Sequence, residues 1–149
     1  CDPPAARGSL LGSLISHACP GLPQQRYNEP MGAVLISTYE LGRQPFGLAS
    51  PAAWLRRAGA EVRCMDLALQ DLDREAVAGA ALIGLYVPMH TATRLAAGLL
   101  PELRALAPAA RIVCFGLYAP LNAALLRDLG ADHCIGGEFE AELVRLWGE

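Results

Sequence analysis

Residues 81–116 read ALIGLYVPMHTATRLAAGLLPELRALAPAARIVCFG, and this stretch decides the architecture. Leu82–Val87 carries no charge and is built from Leu, Ile, Tyr and Val around one glycine. Thr91–Leu106 repeats leucine at helical spacing, with Leu95, Leu99, Leu103 and Leu106 on or near one face and Pro101 bending the helix. Arg111–Phe115 is again short and apolar. Strand, helix and strand in this order form a crossover unit. An uncharged strand that does not alternate polar with apolar is one covered on both faces, as in a parallel sheet.

The same alternation extends in both directions. Upstream, Ala33–Thr38 reads as a first strand and Glu61–Met65 as a second. The helix between them begins either at Phe46 or at Ser50-Pro51 and stops at Gly59. Asp71–Ala78 is a short helix or turn. Downstream, Pro120–Leu129 is a helix stopped by Gly130, His133–Ile135 a fifth strand, and Glu138–Trp147 a last helix whose leading glutamates favour its N-terminal dipole. Right-handed crossovers then predict an α/β flavodoxin-like (Rossmann-like) three-layer sandwich, its five-stranded parallel sheet in the order 2-1-3-4-5.

Composition narrows the function classes. The chain has 149 residues, 53% hydrophobic and 18% charged, with a net charge of −3. Its twelve basic residues are all arginine and are scattered, so nothing invites nucleic acid. The longest uncharged run, Ala76 to Thr93, is broken by Gly79, Gly84 and Pro88, and no membrane partner is expected. The five cysteines lie far apart, without metal-ligand spacing, which points to a reducing cytoplasm. Cys64, Cys114 and Cys134 fall in strands and read as small hydrophobes.

The first thirty residues lack periodicity and are rich in proline. They are expected to be a disordered or non-native leader, with Met31 a candidate start and residues 31–149 the domain proper. RGSLLGSLISHAC within them is a poor signal peptide, its apolar part short and interrupted near His17.

Ligands of such sheets bind beyond the carboxyl ends of the strands, where the winding reverses between strands one and three. Four loops gather there: TYELGRQPFG, VPMHTAT, GLYAP and GGEFE. Gly42 and Gly47 give G-x-x-x-x-G, but Leu48-Ala49 stand where a phosphate loop needs Lys and then Ser or Thr, and no G-x-G-x-x-G occurs. A receiver domain would want an acidic cluster after strand one and an aspartate ending strand three, where Val87-Pro88-Met89 stands. A flavin site could use Thr38, Thr91 and Tyr118 but lacks the hydroxyl-rich loop after strand one. What remains is a crest with one basic residue, Arg43, and much neutral surface. Gly84 and Gly116, with Gly136 and Gly137, would leave room beside the sheet for a deeply inserted group. The ligand expected is large, nearly uncharged and rich in amides.

Residues 33–149 resemble the N-terminal cobalamin-binding domain of cobalamin-dependent radical SAM enzymes. The matching stretches are QPFGLASPAAWLRRAGAEVRCMDLA, similar to P-x-G-L-x-x-L-A-x-x-L-x-x-x-G-x-x-V-x-x-x-D; LIGLYVPMHTATRLAAGLLPELRALAPAARIVCFG; and LRDLGADHCIGGEFEAELVRL, similar to D-x-x-x-x-G-E-x-E. Within that family the chain most resembles the CUAEP/CCAEP-tail proteins.

The resemblance implies cobalamin lying across the strand ends with its nucleotide tail beside the sheet. It implies corrin contacts from Thr38, Tyr39, Glu40, Leu41, Gly42, Arg43 and Gln44, and from Pro88, Met89, His90 and Thr91. Gly116, Leu117 and Tyr118, with Gly136, Gly137 and Glu138, would complete the set. No catalytic residue and no protein metal ligand is expected. The D-x-H-x-x-G whose histidine ligates cobalt is absent, and so is the C-x-x-x-C-x-x-C of an iron–sulfur cluster. S-adenosylmethionine and the cluster would belong to a downstream radical SAM domain, a methyltransferase or related enzyme, and this chain would not catalyse alone.

Blander readings stand beside these. His90 either touches ligand or sits in water at a helix start; His133 is structural; Trp54 and Trp147 are packing residues. Glu40 and Arg43 pair with each other or bind corrin side chains. The runner-up reading of the whole domain is a non-catalytic flavodoxin-like scaffold or interaction domain that has lost its ligand, and a third is a flavin or nucleotide binder.

Overall fold

The computed structural model describes residues 32–41 and 43–149. The expectations for the leader, Met31 and Gly42 lie outside those residues. Five strands run parallel: β1 (Ala33–Ser37), β2 (Val62–Asp66), β3 (Leu82–Tyr86), β4 (Arg111–Phe115) and β5 (His133–Ile135), in the order β2-β1-β3-β4-β5. Ser37 stands beside Asp66 on one side and Tyr86 on the other, and Tyr86 beside Phe115. The carboxyl ends of β1 to β4 are therefore level and form one crest.

Two apolar layers sandwich the sheet. One holds Val34, Ile36, Ile83, Leu85, Ile112 and Cys114 under α2 (Arg74–Ala78), α3 (His90–Leu106) and α4 (Ala123–Asp128). The other holds Ala33, Leu35, Leu82, Val113 and Phe115 under α1 (Phe46–Arg57) and α5 (Glu140–Gly148). The alternation within each strand sends neighbours to opposite layers, so both faces must be apolar.

Local chemistry explains the helix limits. The first helix starts at Phe46, ahead of Ser50-Pro51, and Pro51 lies inside it, buried with Leu48, Ala52 and Leu55. Gly59 follows at φ 94°, and Gly130 ends the α4 segment at φ 118°, both left-handed positions that favour glycine. Asp73 caps α2, its side chain accepting from Ala76 N at 3.0 Å. The segment from Pro120 begins as a 3-10 turn, Pro120–Asn122, before α4. The last helix starts at Glu140, leaving Glu138 in the preceding loop.

Three expectations are corrected. On α3 the buried stripe is Ala92, Ala96, Leu100 and Leu103, and Leu95 is 48% exposed. Alanines let the helix axis approach the sheet, which turns the longer leucines to its flanks. Trp54 is exposed rather than packed. Cys64 is exposed because β2 is an edge strand with one side of its outer face uncovered.

At the amino end, Arg104 donates to the carbonyls of Pro108, Ala110 and Gly130 and to Asp132 Oδ2, the last at 2.7 Å. The same carboxylate oxygen accepts from Ile112 N at 2.7 Å. This knot ties α3, β4 and the start of β5 together, far from the crest.

Candidate functional site

The crest is built by backbone first. Val87 N donates to Phe115 O at 2.8 Å and Tyr118 N to Val87 O at 3.1 Å, so the β3 and β4 loops are stitched together. Gly116 N donates to Ile135 O at 3.1 Å, adding β5. Thr38 Oγ1 donates to Ala92 O at 3.1 Å, locking the end of β1 to α3. Thr38 is buried and its hydroxyl is already engaged.

Around that frame stand the other residues the sequence singled out. Tyr39 and Glu40 are half-buried; Leu41 is exposed at φ 51°, a strained conformation for a branched side chain. Arg43 N donates to Glu40 O at 2.9 Å, so Glu40 and Arg43 meet through the backbone. Arg43 and Gln44 then line a cavity of about 660 Å³ beside β2, with Arg56, Cys64, Asp66 and Leu69, rather than the middle of the crest. Pro88 and Met89 are half-buried; His90 and Thr91 are exposed in the first turn of α3. Leu117 is exposed and Tyr118 half-buried, and Asn122 Nδ2 donates to Tyr118 O at 2.8 Å. Gly137 and Glu138 are exposed. His133 belongs to the amino end of β5 and lines a different cavity with Arg104 and Trp147.

Two features were not read from the sequence. The first is an apolar rim: Leu41, Phe46, Leu117 and Leu121 expose 64%, 74%, 71% and 74% of their surface on loops and helix starts at the crest. Large apolar side chains exposed at the ligand-binding end of such a sheet are candidates for covering by another group. The second is a pair of orphaned oxygens. Ser37 Oγ and Glu40 Oε2 are buried without a hydrogen-bond partner among the described residues, and such groups are met by water or by a ligand. Burial, and then the Asp66 carboxylate, push the Glu40 pKa above its ordinary value. Burial and Glu40 push Tyr86 up likewise.

The expected room beside the sheet is not there. A Cβ at Gly84 would stand 2.6 Å from Leu35 Cδ2 and 3.0 Å from Phe115 Cε1. At Gly116 it would meet Val87 O at 3.1 Å and Tyr86 Cε2 at 3.2 Å, and at Gly136 it would meet Pro120 Cγ at 2.6 Å. The missing side chains have been replaced by neighbouring ones. Only Gly137 of the four glycines faces open space. Tyr86, Phe115 and Phe139 fill the α1/α5 side as an aromatic cluster, with ring centroids 5.4 Å apart for Tyr86–Phe115 and 4.8 Å for Phe115–Phe139.

Among the described residues, no group of three or more His, Cys, Asp or Glu side chains could hold a metal ion, and no helix is long and apolar enough to cross a membrane. Sheet order and crest define a flavodoxin-like α/β domain. No family model matches the chain, and no curated protein matches it. Solved structures do. A response regulator from Burkholderia pseudomallei with a phosphorylated aspartic acid is similar at 19% identity and TM-score 0.57, over 78% of this chain and 65% of that one. TsrM, a radical S-adenosylmethionine methyltransferase from Kitasatospora setae, is similar at 18% identity and TM-score 0.62, over 78% of this chain. This chain spans 25% of TsrM. A flavodoxin-like domain from Synechococcus matches at 19% identity and TM-score 0.55, over 78% of this chain and 90% of that one. At these identities the likeness is one of fold.

Proposed function

We propose that residues 31–149 form a corrinoid-binding domain, the cobalamin-holding part of a radical SAM enzyme, and that the ligand lies on the crest. The observation that carries this reading is the pairing of exposed apolar side chains after β1 and β4 with an orphaned carboxylate oxygen, Glu40 Oε2, just past the carboxyl end of β1. A flat macrocycle fringed with amides matches both: its ring covers Leu41, Phe46, Leu117 and Leu121, and an amide at its edge satisfies the half-buried Glu40. The order of motifs along the chain and the likeness to TsrM support it. A receiver function has less support, because β3 ends Tyr86-Val87-Pro88 with no carboxylate to accept a phosphoryl group.

In this reading Thr38 holds the β1 loop in place, and Tyr39, Pro88, Met89, His90, Thr91, Tyr118 and Glu138 surround the ring. Gly116 and Gly137 supply the tight turns between them. Bound cobalamin would supply methyl transfer or tune radical chemistry in a downstream radical SAM domain; this domain's own work is binding and orientation. The filled glycine gaps favour a second reading, a scaffold that has lost its ligand and uses the apolar rim to dock another domain.

Incubation with hydroxocobalamin, desalting and an absorption spectrum tests the choice. Retained corrin bands, with no retention of FMN in parallel, are expected. Loss of the bands on desalting overturns the corrinoid reading and leaves the scaffold. A C-x-x-x-C-x-x-C in the coding sequence that follows Glu149 would tie the domain to radical chemistry.

A further inference from the structure

Resting on the corrinoid reading, we infer that the ligand is held by its ring alone, with any nucleotide tail outside the sheet, so that the domain accepts tail-less corrinoids as readily as complete ones. A tail inserted beside the sheet needs a slot as wide as a base, sugar and phosphate. The place for such a slot is the α1/α5 face above Gly84, and it is closed in three layers. Leu35 and Phe115, both fully buried, occupy the space beside Gly84 itself. Tyr86 packs against Gly47, where a Cβ would stand 2.1 Å from Tyr86 Cζ. Phe139 closes the top, its ring centroid 6.3 Å from that of Tyr86.

Opening the slot would move Phe115, which belongs to the hydrophobic core, together with the half-buried Tyr86 and Phe139 packed against it. Polarity argues the same way. Leu35, Leu48, Tyr86, Phe115, Ile135 and Phe139 pack together on that face. A tail phosphate pushed among them would lose its water to apolar surroundings. On the crest above, the exposed Leu41, Phe46, Leu117 and Leu121 and the half-buried Glu40 can still receive the ring and its amides.

Titration of the 149-residue chain with hydroxocobalamin and, separately, with aquohydroxocobinamide, followed by corrin absorption after equilibrium dialysis, decides the matter. The two dissociation constants are expected to agree within about threefold. Cobalamin binding more than about thirtyfold tighter than cobinamide would overturn the inference while leaving the corrinoid reading intact. Retention of neither ligand overturns both. Phe115→Ala, with Tyr86→Ser added, should open the slot and give cobalamin an advantage of about tenfold over cobinamide. Phe139→Ala, at the half-buried top of the cluster, provides the same comparison should the deeper variants fail to fold. An unchanged ratio in a folded, opened variant counts against the slot as the discriminating feature.

Discussion

The ring of Tyr86 lies so close over Gly47 that a side chain at 47 would overlap it. This relationship couples the first turn of α1 to the end of β3. It explains why glycine stands in the middle of a loop-to-helix stretch that otherwise looks like an incomplete phosphate loop. Gly47→Ala is expected to destabilise the fold by about 1–3 kcal/mol through overpacking. Adding Tyr86→Ser should recover part of that loss, because the overlap is then gone. Urea unfolding of the wild type, the two single variants and the double variant measures the coupling; simple additivity would show that the two sites do not meet.

Glu40 sets a pH dependence. Its pKa is raised in the fold, by burial and by Asp66. The folded state therefore holds the proton more tightly than the unfolded chain. That preference stabilises the fold below the unfolded-state pKa of about 4.3 and is lost as pH rises through the folded-state value. Glu40→Gln keeps a neutral side chain at every pH. Its melting temperature should exceed that of the wild type at pH 7, with the advantage gone at about pH 3.5. An advantage equal at both pH values would contradict this account.

The cysteines should differ in reactivity. Cys114 and Cys134 are direct neighbours on β4 and β5. The Cys114 thiol donates to Cys134, which raises its own pKa, as burial also does. Cys134 is lowered by that hydrogen bond, against burial and with help from Arg127. The Cys64 thiol is raised by partial desolvation against the sheet edge, which outweighs the lowering effect of Arg56. Iodoacetamide followed by peptide mapping should find Cys134 modified before Cys114, and Cys114→Ala should slow Cys134 at neutral pH. Faster labelling of Cys114 would refute the donor assignment.

Arg104 is expected to be irreplaceable by lysine. It reaches three carbonyls and Asp132 from two nitrogens of one planar fork, whereas the three donors of an ammonium all leave one nitrogen. Arg104→Ala and Arg104→Lys should each cost about 1–2 kcal/mol, since the part-buried carbonyls of Ala110 and Gly130 lose their donor. Both should leave corrinoid retention unchanged once folded, because the knot lies at the amino end of the sheet. Chemical denaturation and the desalting assay read the two effects separately.

The rim offers a surface test. Leu117→Asp and Leu121→Asp replace exposed side chains, so their effect on stability should stay within about 0.5 kcal/mol. Retention of hydroxocobalamin should fall at least about tenfold if the corrin ring covers them. Retention at the wild-type level would move the ring away from the β4 side of the crest.

The chain's order of secondary structure was legible along its length. Parallel strands buried on both faces must be apolar throughout, and crossovers have one preferred hand, so the run from Leu82 to Phe115 and its repeats lead to the order 2-1-3-4-5. The loops that reach the crest follow from that topology alone. Whether the crest is open does not. Gly84 and Gly136 read in sequence as gaps, yet Leu35, Phe115 and Pro120 close them from elsewhere in the chain. The stripe of α3 that faces the sheet, the exposure of Trp54 and Cys64, and the unpaired Ser37 hydroxyl were equally hidden. Local pattern records what a residue prefers, whereas a void is defined by atoms distant in sequence, and these meet only when the layers pack.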